Sequence, residues 1–288
     1  MTSSCNLSSL IADAAEKLRD RCGDKAVFEA RLLLGIVVGN DEAIYPHTEI
    51  QLNKQQLNKY ELLVTQRCAG KPISRIRGWR EFWSLRFYLN SYTLDPRPES
   101  ELLVEKAIFF ACSERKAHNQ QFRILDLGTG SGCLLLACLS ELKHAIGIGI
   151  DINGQAIIQA QENARLLQLE ERSQFFVSNW FDSLGSNSFD IIMCNPPYIS
   201  YQDEESLQDE VRLFEPKHAL FSDNQGLADY EIIFSEMSGH LNTDGIAFVE
   251  VGYMQSEQVI ELAHRFKLDV RDVFRDLQGI PRCLLLCH

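Results

Sequence analysis

Positive charge is scarce in this sequence: 28 Lys and Arg stand against 40 Asp and Glu in 288 residues, a net charge of −12. Nucleic-acid binders draw most of their affinity from neutralised phosphates and usually carry a basic patch. The acidic balance therefore favours a protein or small-molecule substrate, a basic protein among them, over direct nucleic-acid binding. Long hydrophobic runs are also missing. No stretch approaches the roughly 20 apolar residues of a membrane span, so no membrane association is expected. The nine cysteines contain no Cys-x-x-Cys, and the closest pairs, Cys133/Cys138 and Cys283/Cys287, lack a second half-site. No metal is expected, and the thiols read as residues of a reducing, cytoplasmic protein. Met1-Thr2-Ser3-Ser4-Cys5 has neither a basic n-region nor an apolar h-region, which speaks against a secretory signal. Internal repeats and low-complexity tracts are absent as well.

What is present falls into two regimes. Up to about residue 75 the apolar positions repeat at helix spacing: Leu7, Leu10, Ile11, Ala14, Leu18; then Phe28, Leu32, Leu33, Val37, stopped by Gly39; then Leu57, Tyr60, Leu63, Val64, closed by Gly70. A small helical bundle over 1–78 is expected. Phe82, Trp83, Leu85, Phe87 and Tyr88 are strand formers and predict a β-hairpin connector over 79–95, followed by the stiff Asp95-Pro96-Arg97-Pro98. Over 96–288 short apolar runs alternate with helical stretches: Arg123–Leu127, Ala145–Ile150, Gln174–Val177, Phe189–Cys194, Gly245–Val251, Leu268–Val273 and Arg282–Leu286. Seven such strands predict an α/β, doubly wound, Rossmann-like sheet.

Two motifs carry chemistry. Asp126-Leu127-Gly128-Thr129-Gly130-Ser131-Gly132 closes a strand and opens a helix, where glycines permit close ligand approach and helix N–H groups stand free. The third glycine comes one residue earlier than in the dinucleotide fingerprint. That spacing suits S-adenosylmethionine, with Asp151 ending the next strand as the expected ribose ligand. Asn179 and Trp180, after the strand that follows, are expected beside the adenine. The second motif is Asn195-Pro196-Pro197-Tyr198 at the end of a strand. The prolines make a rigid loop that presents one carboxamide, one carbonyl and one ring. An amide or aryl-amine nitrogen is a poor nucleophile, because its lone pair is delocalised. The Asn195 oxygen and the Pro196 carbonyl can each accept one of its N–H bonds, aim it and stabilise the charge that develops. Tyr198 can stack on the planar group, with Pro197 completing the substrate-binding loop. By itself the motif serves either an amide or the exocyclic amine of adenine in nucleic acid. The nucleic-acid reading would call for a basic groove.

The combination resembles the protein-(glutamine-N5) methyltransferase family that acts on peptide chain release factors. The resemblance runs over nearly the whole chain: Gly70–Ile73, Gly78–Trp83, Pro96–Glu101, the glycine loop, Asn195–Tyr198, Val211–Pro216 with Ala219-Leu220, Glu250–Gly252, and Asp276–Gly279 with Arg282. It implies a helical N-terminal substrate-recognition domain, a hairpin linker and a catalytic domain whose sheet has one antiparallel strand. It also implies a substrate, the glutamine of the Gly-Gly-Gln loop of class I release factors; a monomer is expected. In these terms Asn195, Pro196, Pro197 and Tyr198 hold the glutamine. Gly128, Thr129, Gly130, Ser131, Gly132, Asp151 and Asn195 touch the cofactor, and Arg97–Glu101 lie near the entrance. Asp95, where the family often has an aliphatic residue, and Ser74-Arg75, where it often has an aromatic, depart from the pattern. The acidic run Asp203-Glu204-Glu205 with Asp209-Glu210 reads as a solvated face, or as a docking surface for a basic patch.

Overall fold

The computed structural model describes residues 6–113 and 121–288; residues 1–5, on which the secretory-signal reading rests, lie outside the described residues. The chain divides into two compact units, Met1–Gly78 with Gln208–Phe214, and Trp79–Leu207 with Glu215–His288.

The first unit contains α1 (Leu7–Cys22), α2 (Ala26–Val38), α3 (Lys54–Cys68) and α4 (Ile73–Arg77). Asn6 caps α1 by accepting the Ser8 N–H, and Asn53 and Gln56 cap α3 reciprocally. Leu7, Ile11, Ala14 and Leu18 face the core as the periodicity predicts. In α2 the inward arc is Ala26, Ala30, Leu33, Leu34 and Val37. Phe28, expected inside, is 54% exposed, because it lies two positions from Ala26, about 200° round the helix. The Tyr60 hydroxyl donates to the Ala30 carbonyl at 2.9 Å. Buried Arg67 donates to Glu29 at 2.5 Å and to Glu210 at 2.6 Å, and so ties the Gln208–Phe214 segment to α2 and α3.

The second unit opens with the hairpin β1 (Trp79–Phe82) and β2 (Leu85–Tyr88). Its two-residue turn is Trp83-Ser84, both with positive φ (52° and 56°), conformations usually left to Asn or Gly. The Glu101 carboxylate accepts the Trp83 N–H at 2.7 Å and holds the turn. Next come α5 (Glu101–Ser113), β3 (Arg123–Leu127), α6 (Cys133–Glu141), β4 (Ile146–Asp151), α7 (Gly154–Leu166), β5 (Ser173–Val177), β6 (Phe189–Cys194) and β7 (Ile199–Ser200). The helix α8 (Asp209–Phe214) belongs to the first unit. The second unit resumes with β8 (Phe221–Ser222), the kinked turn α9 (Asp223–Gly226), α10 (Ala228–His240), β9 (Leu241–Glu250), α11 (Ser256–Arg265), β10 (Asp269–Arg275) and β11 (Pro281–Cys287).

The main sheet has seven strands in the order β10-β11-β9-β6-β3-β4-β5, with β11 antiparallel to both neighbours and all other pairs parallel. One face is covered by Leu103, Leu135, Ala160 and their neighbours from α5, α6 and α7. The other is covered by Tyr230, Phe234 and Leu262 from α10 and α11. This is the expected α/β Rossmann-like architecture. β9 starts at Leu241, four residues earlier than the apolar run suggested. Its polar opening is laddered to β6, where Asn242 donates to Asp190 at 2.6 Å and accepts from Ser188. The eight described cysteines are all free. No described helix is long and apolar enough to cross a membrane.

Candidate active site

The site forms where strand order reverses. β3 pairs with β4 on one side and β6 on the other, and Leu127 is level with Ile150 and with Cys194. Gly128 and Asn195, which follow β3 and β6, and Asp151, which ends β4, therefore meet at one sheet edge, the usual ligand crevice of such folds. A cavity of about 300 Å³ opens there, entirely within the second unit.

One wall is the glycine loop. Gly128, Gly130 and Gly132 all take positive φ (69°, 53° and 81°), which only glycine adopts without strain. The Thr129 N–H donates to Ile150 at 2.7 Å, and the Thr129 hydroxyl donates to the buried Asp126 carboxylate at 2.6 Å. Burial pushes the Asp126 carboxyl up to about 7, against the Thr129 bond. Asn163 of α7, buried, donates to the Ser131 carbonyl at 2.8 Å and to the Tyr88 carbonyl at 3.0 Å, clamping the loop to the hairpin. Nothing local in the sequence marked Asn163.

Asp151 accepts the Gly130 N–H at 2.9 Å through Oδ2 and the Asn153 N–H at 2.8 Å through Oδ1. Burial raises its pKa, while those two bonds and His218 oppose the rise. Each carboxylate oxygen keeps a further lone pair for hydroxyl donors in the cavity. Asn179 and Trp180 line the far end, with the Trp180 ring 3.6 Å from where a Gly128 side chain would begin. The donor set thus fits a nucleoside carrying an amino-acid tail: a carboxylate for ribose hydroxyls, a ring wall, and a loop of close backbone approach.

Gly128, Thr129, Gly130, Ser131, Asp151, Asn179, Trp180, Asn195 and Pro197 line this cavity. Gly132, Pro196 and Tyr198 do not. Gly132 caps α6 beneath Leu136 and Ala160, Pro196 is buried, and the Tyr198 hydroxyl donates to Glu250 at 3.3 Å. The sequence reading also missed lining residues: Tyr92, Leu94, His218, Phe221 and Asp229; Ser100, of the segment expected near the entrance, lines the cavity too. They come from loops, short turns, the two-residue strand β8 and the first turn of α10, which are too short to show periodicity. Arg97 lines the cavity as well, and buried Glu215 holds it at 3.4 Å while accepting the Asp95 N–H at 3.1 Å. The Asp95 carboxylate faces Arg80 at 3.8 Å, which accommodates an acid where the family pattern is aliphatic.

Residues 9–78 match the PrmC N-terminal domain, and residues 107–221 match the Methyltransferase small domain. The release factor glutamine methyltransferase of Rhodospirillum rubrum is 38% identical over 97% of this chain and 84% of its own length. The protein of the same name from Haemophilus influenzae is 36% identical over 97% of this chain and 96% of its own. The chain belongs to the release factor glutamine methyltransferase family. It is a methyltransferase, and its cofactor is S-adenosylmethionine. It is also 32% identical to a bifunctional methyltransferase of Rickettsia conorii, of which it spans 57%. The catalytic domain of human Mettl16, at 16% identity and a TM-score of 0.53 over 78% of this chain and 81% of that one, shares the fold.

Proposed function

We propose that this chain methylates the side-chain amide nitrogen (N5) of the glutamine in the Gly-Gly-Gln motif of class I release factors. The observation that carries the proposal is Asn195 on the cavity wall, level with the glycine loop at the sheet edge, in a chain closely related to release factor glutamine methyltransferases. S-adenosylmethionine, when bound, supplies an electrophilic sulfonium methyl group. Gly128–Gly132, Asp151, Asn179 and Trp180 hold the cofactor; Asp151 takes the ribose hydroxyls. Asn195 Oδ1 and the Pro196 carbonyl accept the two N–H bonds of the glutamine amide, which turns its nitrogen toward the methyl and offsets the growing positive charge. Pro197 and the Tyr198 ring bound the planar amide. No general base is assigned, because the methylated nitrogen turns acidic and loses its proton late. The helical unit recognises the release factor, and the enzyme works as a cytoplasmic monomer.

The acidic run contributes less to docking than its composition suggests. Asp209 pairs with Arg21 and Arg212, Glu210 with Arg67, and Glu204 with Lys217. The test is incubation of the purified protein and cofactor with a class I release factor, followed by peptide mass spectrometry. One added methyl on the Gly-Gly-Gln peptide is the expected result. Transfer to DNA alone would overturn the reading in favour of an adenine substrate.

A further inference from the structure

A chain of side-chain contacts runs from the cavity wall to a carboxylate buried behind it. Asn195 Nδ2 donates to Ser100 Oγ at 3.1 Å. Ser100 Oγ donates to Glu250 Oε2 at 2.6 Å, and the Tyr198 hydroxyl donates to Glu250 Oε1 at 3.3 Å. Ser100 and Glu250 are 3% and 2% exposed. The Tyr230 hydroxyl donates to the Glu250 carbonyl at 2.8 Å and pins the end of β9. Ser100 and Glu250 are 150 positions apart in sequence, and the function above uses neither.

We propose that Ser100 and Glu250 are positioning residues that decide which end of the Asn195 carboxamide faces the substrate. A carboxamide has a donor end and an acceptor end of nearly the same shape. Only the oxygen end can accept an N–H from a substrate amide, and a flipped Asn195 would set two donors against each other. An ionised carboxylate only accepts. Glu250 therefore draws the Ser100 proton to itself. Ser100 Oγ is left as an acceptor for Asn195 Nδ2, and Asn195 Oδ1 is released toward the cavity. The same carboxylate draws the Tyr198 proton and fixes the ring at the other end of the loop. The relay reads out one group's charge as another group's polarity. The inference rests on the proposed amide-methylating role of Asn195.

Protonation reverses the relay. Neutral Glu250 can donate to Ser100 Oγ, whose own proton then points at Asn195 and favours its oxygen end. Burial pushes Glu250 up to about 7; the Ser100 bond, Arg282 and the Tyr198 bond act to lower it, and Glu99 acts to raise it. These groups face it from β11, from the loop before α5 and from the loop after β6, and Tyr230, Cys194 and Cys283 lie beside it on α10, β6 and β11. The competent form is the carboxylate, so activity rises with pH through about 7 and levels above it.

The test uses the full chain with three variants: Ser100→Ala, Ser100→Thr and Glu250→Gln. Ser100→Ala and Glu250→Gln are expected to lower kcat about 10²-fold, the scale of a misaligned reacting group. The Michaelis constant for cofactor should change far less. Ser100→Thr, which keeps the hydroxyl, should recover most of the rate. Glu250→Gln should lose the limb near pH 7. A substrate-free reading runs alongside. The Asn195 side-chain NH2 resonance, assigned by its disappearance in Asn195→Asp, should titrate near pH 7 in the unmodified chain and not in Glu250→Gln. An NH2 signal that does not titrate, or a Ser100→Ala enzyme with full kcat and an unchanged pH limb, overturns the relay. A wild-type chain inactive on release factor, with the resonance titrating as expected, overturns the functional reading and leaves the relay standing.

Discussion

Two residues carry the proposed chemistry, and they divide it between binding and transfer. In the proposed reaction Asn195 supplies an acceptor for the nitrogen that reacts. Its replacement by Ala is expected to lower kcat by about 10² to 10³, the usual cost of removing one preorganised polar contact. Circular dichroism of that variant should match the parent. Asp151 belongs to the binding side, since its oxygens already hold the Gly130 and Asn153 amides. Asp151→Ala removes both the ribose acceptor and the brace of the glycine loop. Calorimetry with the demethylated cofactor should show binding weakened by about 10- to 100-fold, corresponding to one or two lost charge-assisted hydrogen bonds. Binding within a factor of two of wild type would remove Asp151 from the cofactor site. The cavity positions of both residues were legible in the sequence because each stands at the end of an apolar strand, where such sheets bind ligands. Ser100 was legible only as part of a segment expected near the entrance, and Glu250 only as part of a family segment with no role attached.

Elements hold the site by backbone approaches that leave no room. Gly226, at the end of α9, has a φ of +85°, and a Cβ there would lie within van der Waals overlap of the Tyr198 carbonyl. Gly226→Ala should displace the Asn195–Tyr198 loop. We expect a loss of roughly 1–3 kcal/mol in denaturant unfolding from backbone strain, together with a lower kcat. An unchanged kcat would show that the loop tolerates the push. In the first unit the corresponding element-scale device is Arg67, 5% exposed, between Glu29 and Glu210. Removing one partner of a buried ion pair usually costs 3–5 kcal/mol, and Glu210 is partly solvated, so about 3 kcal/mol is expected for Arg67→Ala. Thermal unfolding of residues 6–78 followed within the full chain would report it. The hairpin shows how far local signals reach. Aromatic and apolar residues announced its strands. Its Trp83-Ser84 turn carries no Asn-Gly signature and depends on Glu101, 18 positions away.

At the scale of the molecule the notable quantity is the number of protons held inside. Asp126 and Glu250 are fully buried carboxyls pushed up to about 7 from ordinary values of 3.8 and 4.5. Between about pH 4 and 7 the folded chain retains protons that the unfolded chain has released. Stability contributed by these groups is complete below about pH 4 and is lost as pH rises through 7. Unfolding free energy measured against pH should therefore decline across that window, and Asp126→Asn should flatten the decline. An equal slope in that variant would mean that Asp126 is ionised in the folded protein. The free energy stored in Asp126 sits beneath the cofactor loop, where its Thr129 bond shapes the turn.

The sequence by itself determined the elements and the two chemical motifs. Helical periodicity, apolar strand runs, glycine spacing and proline stiffness are short-range properties, and each acts within a few residues of where it is written. Tertiary structure decided what those motifs lean on. Strand order brought Gly128, Asp151 and Asn195 to one edge, and β9 carried Glu250 behind them beside β6. It also turned Asn163 onto Ser131, and it assigned Gln208–Phe214 to the first unit through Arg67. Asn163 and Ser131 are 32 positions apart, and Ser100 and Glu250 are 150 apart. The energies of these contacts depend on burial and direction, which only the packed sheet supplies.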